Sequence, residues 1–185
     1  MKDTFYVKLY GAPGAGKSTG AAWIFSTLKL NNVDSEYVQE FAKDMVWEKN
    51  QFMFEDPDNQ LILLASQFYR LNRLRGKVDV VVTDSPLLLS HLYAKDCILD
   101  CDEYRSLVKK LDEKFQGMNI LVKRAKAYNP NGRNQTEIES DNLAKSLEDF
   151  LVKENQNFLV INGDYEGYKK AYDCVMEKLG RGLTY

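Results

Sequence analysis

The residues best suited to chemistry stand near the N-terminus, in Gly11-Ala12-Pro13-Gly14-Ala15-Gly16-Lys17-Ser18-Thr19. The run fits G-x-x-x-x-G-K-[ST] at every position, the pattern of a loop that cradles phosphate groups. Gly14 and Gly16 can adopt backbone angles closed to other residues, so successive N–H groups can point at one anion. A helix starting near Lys17 would add its positive end to the same spot. Lys17 supplies a mobile point charge for β and γ phosphates, and the Ser18 hydroxyl can ligate Mg²⁺. All nine residues are therefore expected to contact a nucleotide, ATP or a close relative, with Mg²⁺ as its companion ion.

Further candidates are scattered along the chain. Asp84 directly follows the strongest apolar run, Val78-Asp79-Val80-Val81-Val82-Thr83. An acid at that point can hold Mg²⁺ directly or through water; its structural alternative is to cap a helix after Pro86. Glu36, Glu40 and Lys43 follow a second, weaker strand. Glu40 is the better candidate of the two acids to accept a proton from an attacking hydroxyl or to anchor the acceptor. A solvated helix face is the competing reading. Gln67 and Arg70 are three apart and neighbours on one helix. An amide suits a base edge and a guanidinium suits a phosphate, whereas plain surface filling would need neither. Lys123, Arg124, Lys126 and Arg133 surround the turn Asn129-Pro130-Asn131-Gly132. Cations on a closing segment, at about 124–136 here, stabilise the charge that spreads over a transferring phosphoryl group, and an exposed basic loop is the alternative. Asp164, in Asn162-Gly163-Asp164, follows the last strand-like run and is placed either beside the nucleotide base or at a helix N-cap.

These residues need a scaffold that brings them to one edge, and the periodicity supplies one. Strand-like runs at Phe5–Tyr10, Ser35–Val38, Val78–Thr83, Met118–Lys123 and Phe158–Asn162 alternate with helical patterns. The helices are expected at Lys17–Leu30, Phe41–Glu48, from Asp56-Pro57 towards Gly76, from Asp100 with Glu103 to about Phe115, from a Thr136/Glu139 capping box onward, and at Tyr165–Leu179. Strands separated by helices imply parallel pairing through right-handed crossovers. The expectation is one three-layer α/β domain of about five parallel strands spanning 1–185. Ligands bind such sheets at the carboxyl ends of the strands, so the residues just after each strand are the ones to watch.

Composition narrows the function classes. The 185 residues carry a net charge of −2 and a pI of about 5.6, so the basic surplus of a non-specific nucleic-acid binder is absent. The three cysteines, Cys97, Cys101 and Cys174, form no ligand set and read as free thiols of a reducing compartment. A single histidine, His91, leaves no room for histidine triads or histidine-rich metal sites. No apolar run approaches the roughly 18 residues of a membrane span, and the N-terminal residues do not form a signal peptide. A cytoplasmic protein is expected, in the host cytoplasm if the source is viral.

Taken together, the chain resembles the P-loop nucleoside and nucleotide kinase superfamily, and within it the NadR-like AAA domains, whose best-known member is a nicotinamide riboside kinase. The resemblance rests on the phosphate loop, on Glu36-Tyr37-Val38-Gln39-Glu40-Phe41-Ala42-Lys43, on Thr83-Asp84-Ser85 and on Asn131-Gly132-Arg133. It implies a five-stranded parallel core, Mg·ATP as phosphoryl donor and a small acceptor bearing a hydroxyl or phosphate. The residue chemistry set out above adds the expected roles: catalytic for Lys17, Glu40, Asp84 and Arg133, nucleotide-binding for Arg124 and Asp164, and acceptor-binding for Glu40, Lys43, Gln67 and Arg70. Two departures stand out. Thymidylate and deoxynucleoside kinases usually follow the acid after the third strand with arginine, where this chain has Ser85-Pro86. Many NadR-like domains have arginine where this chain has Lys43. Small stand-alone members are frequent in bacteriophages, and one related phage group phosphorylates hydroxymethyluracil within DNA. A P-loop ATPase switch without an acceptor is the third class; it usually needs an added helical domain and an arginine in trans.

Overall fold

The computed structural model describes residues 3–94, 96–129 and 136–181. Five strands form one sheet: β1 (Phe5–Tyr10), β2 (Ser35–Val38), β3 (Val80–Thr83), β4 (Gly117–Lys123) and β5 (Phe158–Asn162). Their order across the sheet is β2-β3-β1-β4-β5, and every pairing is parallel. β1 lies at the centre, with Phe5–Lys8 opposite Val80–Thr83 and Tyr6–Tyr10 opposite Gly117–Leu121. The order reverses at β1, so the loop leaving β1 opens at the switch point of the sheet, where ligands of this architecture gather.

Among the described residues, eight helices cover the two faces: α1 (Lys17–Leu30), α2 (Phe41–Trp47), α3 (Phe52–Glu55), α4 (Gln60–Asn72), α5 (Leu89–Tyr93), α6 (Asp102–Asp112), α7 (Glu137–Lys153) and α8 (Tyr165–Lys178). Alternation along the strands builds two cores. Val7, Leu9, Val80, Val82, Ile120 and Ile161 face the α1–α8 layer and meet Ala21, Ile24, Leu28, Ala171 and Val175. Tyr6, Tyr10, Val81 and Leu121 face the opposite layer and meet Leu64, Leu71, Val108, Leu147 and Leu151. Lys8 shares the Tyr6/Tyr10 face of β1, and its ammonium is buried in a 2.7 Å ion pair with Asp112 at the end of α6.

Most element expectations hold; several ends shift by a few residues, and three boundaries differ for identifiable local reasons. Asp56 does cap with its side chain, accepting from the Asp58 amide at 2.9 Å, but it opens a one-turn 3₁₀ segment (Pro57–Asn59) rather than α4 itself. α6 starts at Asp102 with Cys101 as its N-cap, because the Asp100 carboxylate is taken by the Arg105 guanidinium. Pairing of β3 begins at Val80, where β1 and β2 both reach it. The capping box of Thr136 and Glu139 forms as expected and starts α7. Among the described residues, no helix is long and apolar enough to cross a membrane.

Candidate functional site

The phosphate loop joins β1 to α1 in the conformation its glycines allow. Gly14 has φ 81° and Gly16 φ 102°, both in the left-handed region. Gly16 is the N-cap of α1, so the helix's first N–H groups face the loop interior. Two contacts brace the loop from outside and one closes it from within. The Tyr168 hydroxyl donates to the Gly16 carbonyl at 3.0 Å, and the Ser140 hydroxyl donates to the Pro13 carbonyl at 2.6 Å. The Ala15 amide closes a tight turn onto the Ala12 carbonyl at 3.1 Å. Lys17 folds back, donating to the carbonyls of Gly11 at 2.7 Å and Ala12 at 3.3 Å. An arriving phosphate would exchange for these neutral acceptors and gain a charge-assisted bond.

Asp84 is almost wholly buried at the carboxyl end of β3. It caps no helix: α5 begins five residues later with Leu88 as its N-cap. Its carboxylate instead accepts from the Glu40 amide at 3.1 Å. Asp84 and Ser18 offer two hard oxygen donors of the kind Mg²⁺ prefers. Burial, and after it the Asp84 charge and hydrogen bond, push the Tyr37 hydroxyl well above its ordinary pKa and keep it protonated.

Glu40 begins the wall of a cavity of about 470 Å³ that opens directly from the phosphate loop. One end is lined by Gly14, Gly16, Lys17, Ser18 and Thr19; the other is walled by Phe41, Val46, Phe54, Leu63, Leu89 and Tyr93. Burial raises the Glu40 pKa above the usual carboxylate range, Lys17 opposes that shift, Asp84 adds to it and Lys43 opposes it. Glu40 therefore lies within the field of both the phosphate-loop lysine and Asp84.

The other candidates divide. Lys43 and Gln67 line the cavity. The Gln67 amide, however, is occupied by the protein: its oxygen accepts from the Phe41 amide at 3.0 Å and its nitrogen reaches the Thr83 hydroxyl at 3.5 Å. It therefore ties α4 to α2 and β3 instead of presenting a free edge. Arg70 is not among the cavity-lining residues; it pairs with Asp44 at 2.6 Å and stacks 4.9 Å over the Phe41 ring. Glu36 turns away to Lys29 at 3.7 Å. Arg124 is engaged by α7 through Asp141 and, at 3.5 Å, Glu137, while Lys123 pairs with Glu148 at 3.0 Å. Asp164 caps α8, accepting from the Gly167 amide at 2.9 Å. Arg133 and Asn131-Gly132 lie outside the described residues. Sequence reasoning missed Tyr37, Tyr93, Ser140 and Tyr168. Only Tyr37 carried a signal, its place inside the segment that leads from β2 to Glu40.

Solved structures share this arrangement. The crystal structure of the NadR protein in complex with NR superimposes with a TM-score of 0.68 at 16% identity, over 98% of this chain and 53% of that one. This chain thus spans about half the length of that protein. Thymidylate kinase from Ehrlichia chaffeensis superimposes with a TM-score of 0.59 at 14% identity, over 96% of this chain and 99% of that one. At these identities the likeness is one of fold, that of the P-loop nucleotide kinases. No curated protein sequence matches. The AAA domain family model matches residues 6–167, through the phosphate loop, the cavity wall and β5. A match across that much of the sequence, joined to a phosphate loop at the switch point of a 2-3-1-4-5 parallel sheet, makes the chain a member of the AAA domain family of P-loop proteins.

Proposed function

We propose that the protein is a kinase that transfers the γ-phosphoryl group of ATP, assisted by Mg²⁺, to a hydroxyl of a small nucleoside-like molecule. The observation that carries this reading is the single cavity that runs from the phosphate loop past Glu40 to an apolar and aromatic wall. A donor phosphate at one end and an acceptor ring at the other would meet at Glu40. One structural neighbour is a thymidylate kinase and the other is a NadR protein in complex with NR, which supports this class.

In the scheme, the loop amides and Lys17 bind the β and γ phosphates and hold them in line with the acceptor. Glu40 accepts the proton as the acceptor oxygen forms its bond to the γ phosphorus and the bond to the bridging oxygen of ADP breaks. Ser18 and Asp84 would hold Mg²⁺, which supplies charge stabilisation to the phosphates. Arg133, in a closing segment at about 124–136 of a single domain, would stabilise the spreading charge, with Arg124 and Asp164 flanking the nucleotide.

A hydroxyl acceptor fits better than a phosphate. Beyond the phosphate loop, the charged residues lining the cavity are Glu40, Lys43 and Asp56, two acids and one cation. Arg70, which would suit an acceptor phosphate, is engaged with Asp44 and Phe41. A neutral or cationic ring carrying hydroxyls suits that balance, and a dianionic phosphate would be opposed by it. The test is transfer from γ-labelled ATP to nucleosides, nucleoside monophosphates, nicotinamide riboside and hydroxymethylated DNA, with Lys17→Ala as control. Label on a nucleoside-type acceptor, lost in Lys17→Ala, is expected. Label on monophosphates or DNA alone would overturn the acceptor class, and free phosphate without any labelled acceptor would replace the kinase with an ATPase.

A further inference from the structure

The crest of the phosphate loop can stand in two ways, and its own residues do not decide between them. The Ala15 amide closes a β-turn onto the Ala12 carbonyl at 3.1 Å, with Pro13 and Gly14 at its centre. Proline fixes a negative φ, which turn types I and II both accept at that position. Glycine takes either sign of φ at the next. The two types differ by a half-rotation of the peptide between Pro13 and Gly14. Gly14 has φ 81°, so the turn is type II.

The contact that favours this state comes from α7. The Ser140 hydroxyl, on a residue only 2% exposed, donates to the Pro13 carbonyl at 2.6 Å. Helical serines commonly turn their hydroxyls to water or to a carbonyl of their own helix; this one reaches a residue 127 positions away. Ser140 is itself held in place. The Thr136/Glu139 capping box fixes the first turn of α7, and the adjacent Asp141 pairs with Arg124 just past β4. The carbonyl and N–H of a trans peptide point in opposite directions. A Pro13 carbonyl drawn to α7 therefore sends the Gly14 N–H to the other side of the loop. The cavities agree. Ser140 lines a second cavity, of about 350 Å³, with Gly11, Ala12 and Pro13. Gly14 does not line that one; it lines the first, with Lys17 and Ser18. A rotated peptide would aim a carbonyl oxygen at the phosphates where an N–H is needed. Resting on the reading of the loop as a nucleotide site, we propose that Ser140 is a positioning residue that selects the type II turn and so keeps the Gly14 N–H aimed at the nucleotide phosphates.

The test joins a spectroscopic signature to a titration and needs no turnover. In a type II turn the central N–H lies beside the α-proton of the residue before it. A strong nuclear Overhauser cross-peak between the Pro13 α-proton and the Gly14 amide proton therefore reports the turn in solution. ADP affinity is measured by calorimetry on the same samples, with melting temperature as a check on folding. The wild type is expected to show the cross-peak. Ser140→Ala is expected to weaken it and to bind ADP about 3–10-fold less tightly, the shift that loss of one hydrogen bond brings. Tyr168→Phe, which removes the other outer brace, is expected to keep the cross-peak. Where Ser140→Ala melts below the assay temperature, Ser140→Cys, which donates only weakly, is read by the same two measures. A full-strength cross-peak in the Ser140 variant overturns the proposal, as does unchanged ADP affinity with a lowered melting temperature, which makes the bond merely structural. Equal weakening of the cross-peak in Tyr168→Phe also overturns it, by assigning the effect to general loosening. A wild-type protein that binds no ADP defeats the nucleotide reading, and the proposal with it, before any variant is compared.

Discussion

Gly16→Ala tests whether the outer brace of the phosphate loop fixes its shape. Gly16 has φ 102° and ψ 12°, a backbone state that costs an L-residue roughly 1–2 kcal/mol. A β-carbon placed there would lie 2.5 Å from the Tyr168 hydroxyl and 3.4 Å from the Gly163 α-carbon. The first contact is too short to exist, so Tyr168 must move, and its hydrogen bond to the Gly16 carbonyl goes with it. That bond contributes about 1 kcal/mol. The single substitution should therefore cost about 2–3 kcal/mol. Tyr168→Phe alone removes only the hydrogen bond, about 1 kcal/mol. The double variant has already lost the hydroxyl that obstructs the new methyl group, so the bond is counted once. Its cost should fall short of the sum of the singles by about 1 kcal/mol. Urea unfolding of the four proteins measures this cycle, provided the dependence on denaturant is the same in all four. Strict additivity would refute the reasoning, because it would mean that Gly16 and Tyr168 do not meet. ADP binding measured in parallel should weaken in Gly16→Ala more than in Tyr168→Phe, since only the former displaces loop amides.

Three other outcomes are expected. Because burial raises the Glu40 pKa, and a base must be ionised, kcat/KM should rise with pH through that raised pKa and then level. Lys43→Met, which removes a charge that lowers it, should move the midpoint upward; a flat profile in Glu40→Gln is the companion result, and an unshifted midpoint would remove Glu40 as the base. The same shift has a stability sign: a carboxyl whose folded pKa is raised favours folding at low pH and loses that contribution as pH rises through it, so Glu40→Gln should unfold at higher denaturant than wild type above that range. Asp112→Ala strands the buried Lys8 ammonium of the 2.7 Å pair and should cost about 3–5 kcal/mol in urea unfolding, while Lys8→Met with Asp112→Leu should cost far less. Arg133→Ala should lower kcat more than it weakens ATP binding, and an equal loss in both, from steady-state kinetics and ATP titration, would assign it to ground-state binding.

The phosphate loop was legible in the sequence because its pattern is local. The loop from Gly11 to Thr19 is contiguous, and the rule that ligands gather at strand ends points to Asp84 and Glu40 without any knowledge of contacts. Arg70 shows where that reading ends. Its spacing from Gln67 correctly makes the two helical neighbours, but its partner Asp44 lies 26 residues away, and nothing local announces the pair. Gln67 likewise reads as a free amide until the Phe41 amide is seen to occupy it. Asp100 reads as a helix start because acids favour that position, and only the Arg105 contact shows why the helix waits until Asp102. Tyr168 and Ser140 brace the loop from 152 and 127 residues away along the chain, a distance no motif spans.

The cavity wall opposite the phosphate loop has a further meaning. Its apolar and aromatic members come from two short stretches, 41–63 and 89–93, carried on α2, α3, the 3₁₀ turn, the start of α4 and α5. None of these residues belongs to a strand, and none braces the loop between β1 and α1. Substitutions there can reshape what the wall accepts while the β1 switch point, the loop glycines and Asp84 stay in register. The fold thus separates the inheritable part of the machine from the adjustable part. Lineages that share the phosphate loop are free to diverge in what the wall accepts by exchanging a handful of side chains on helices of only 4–13 residues.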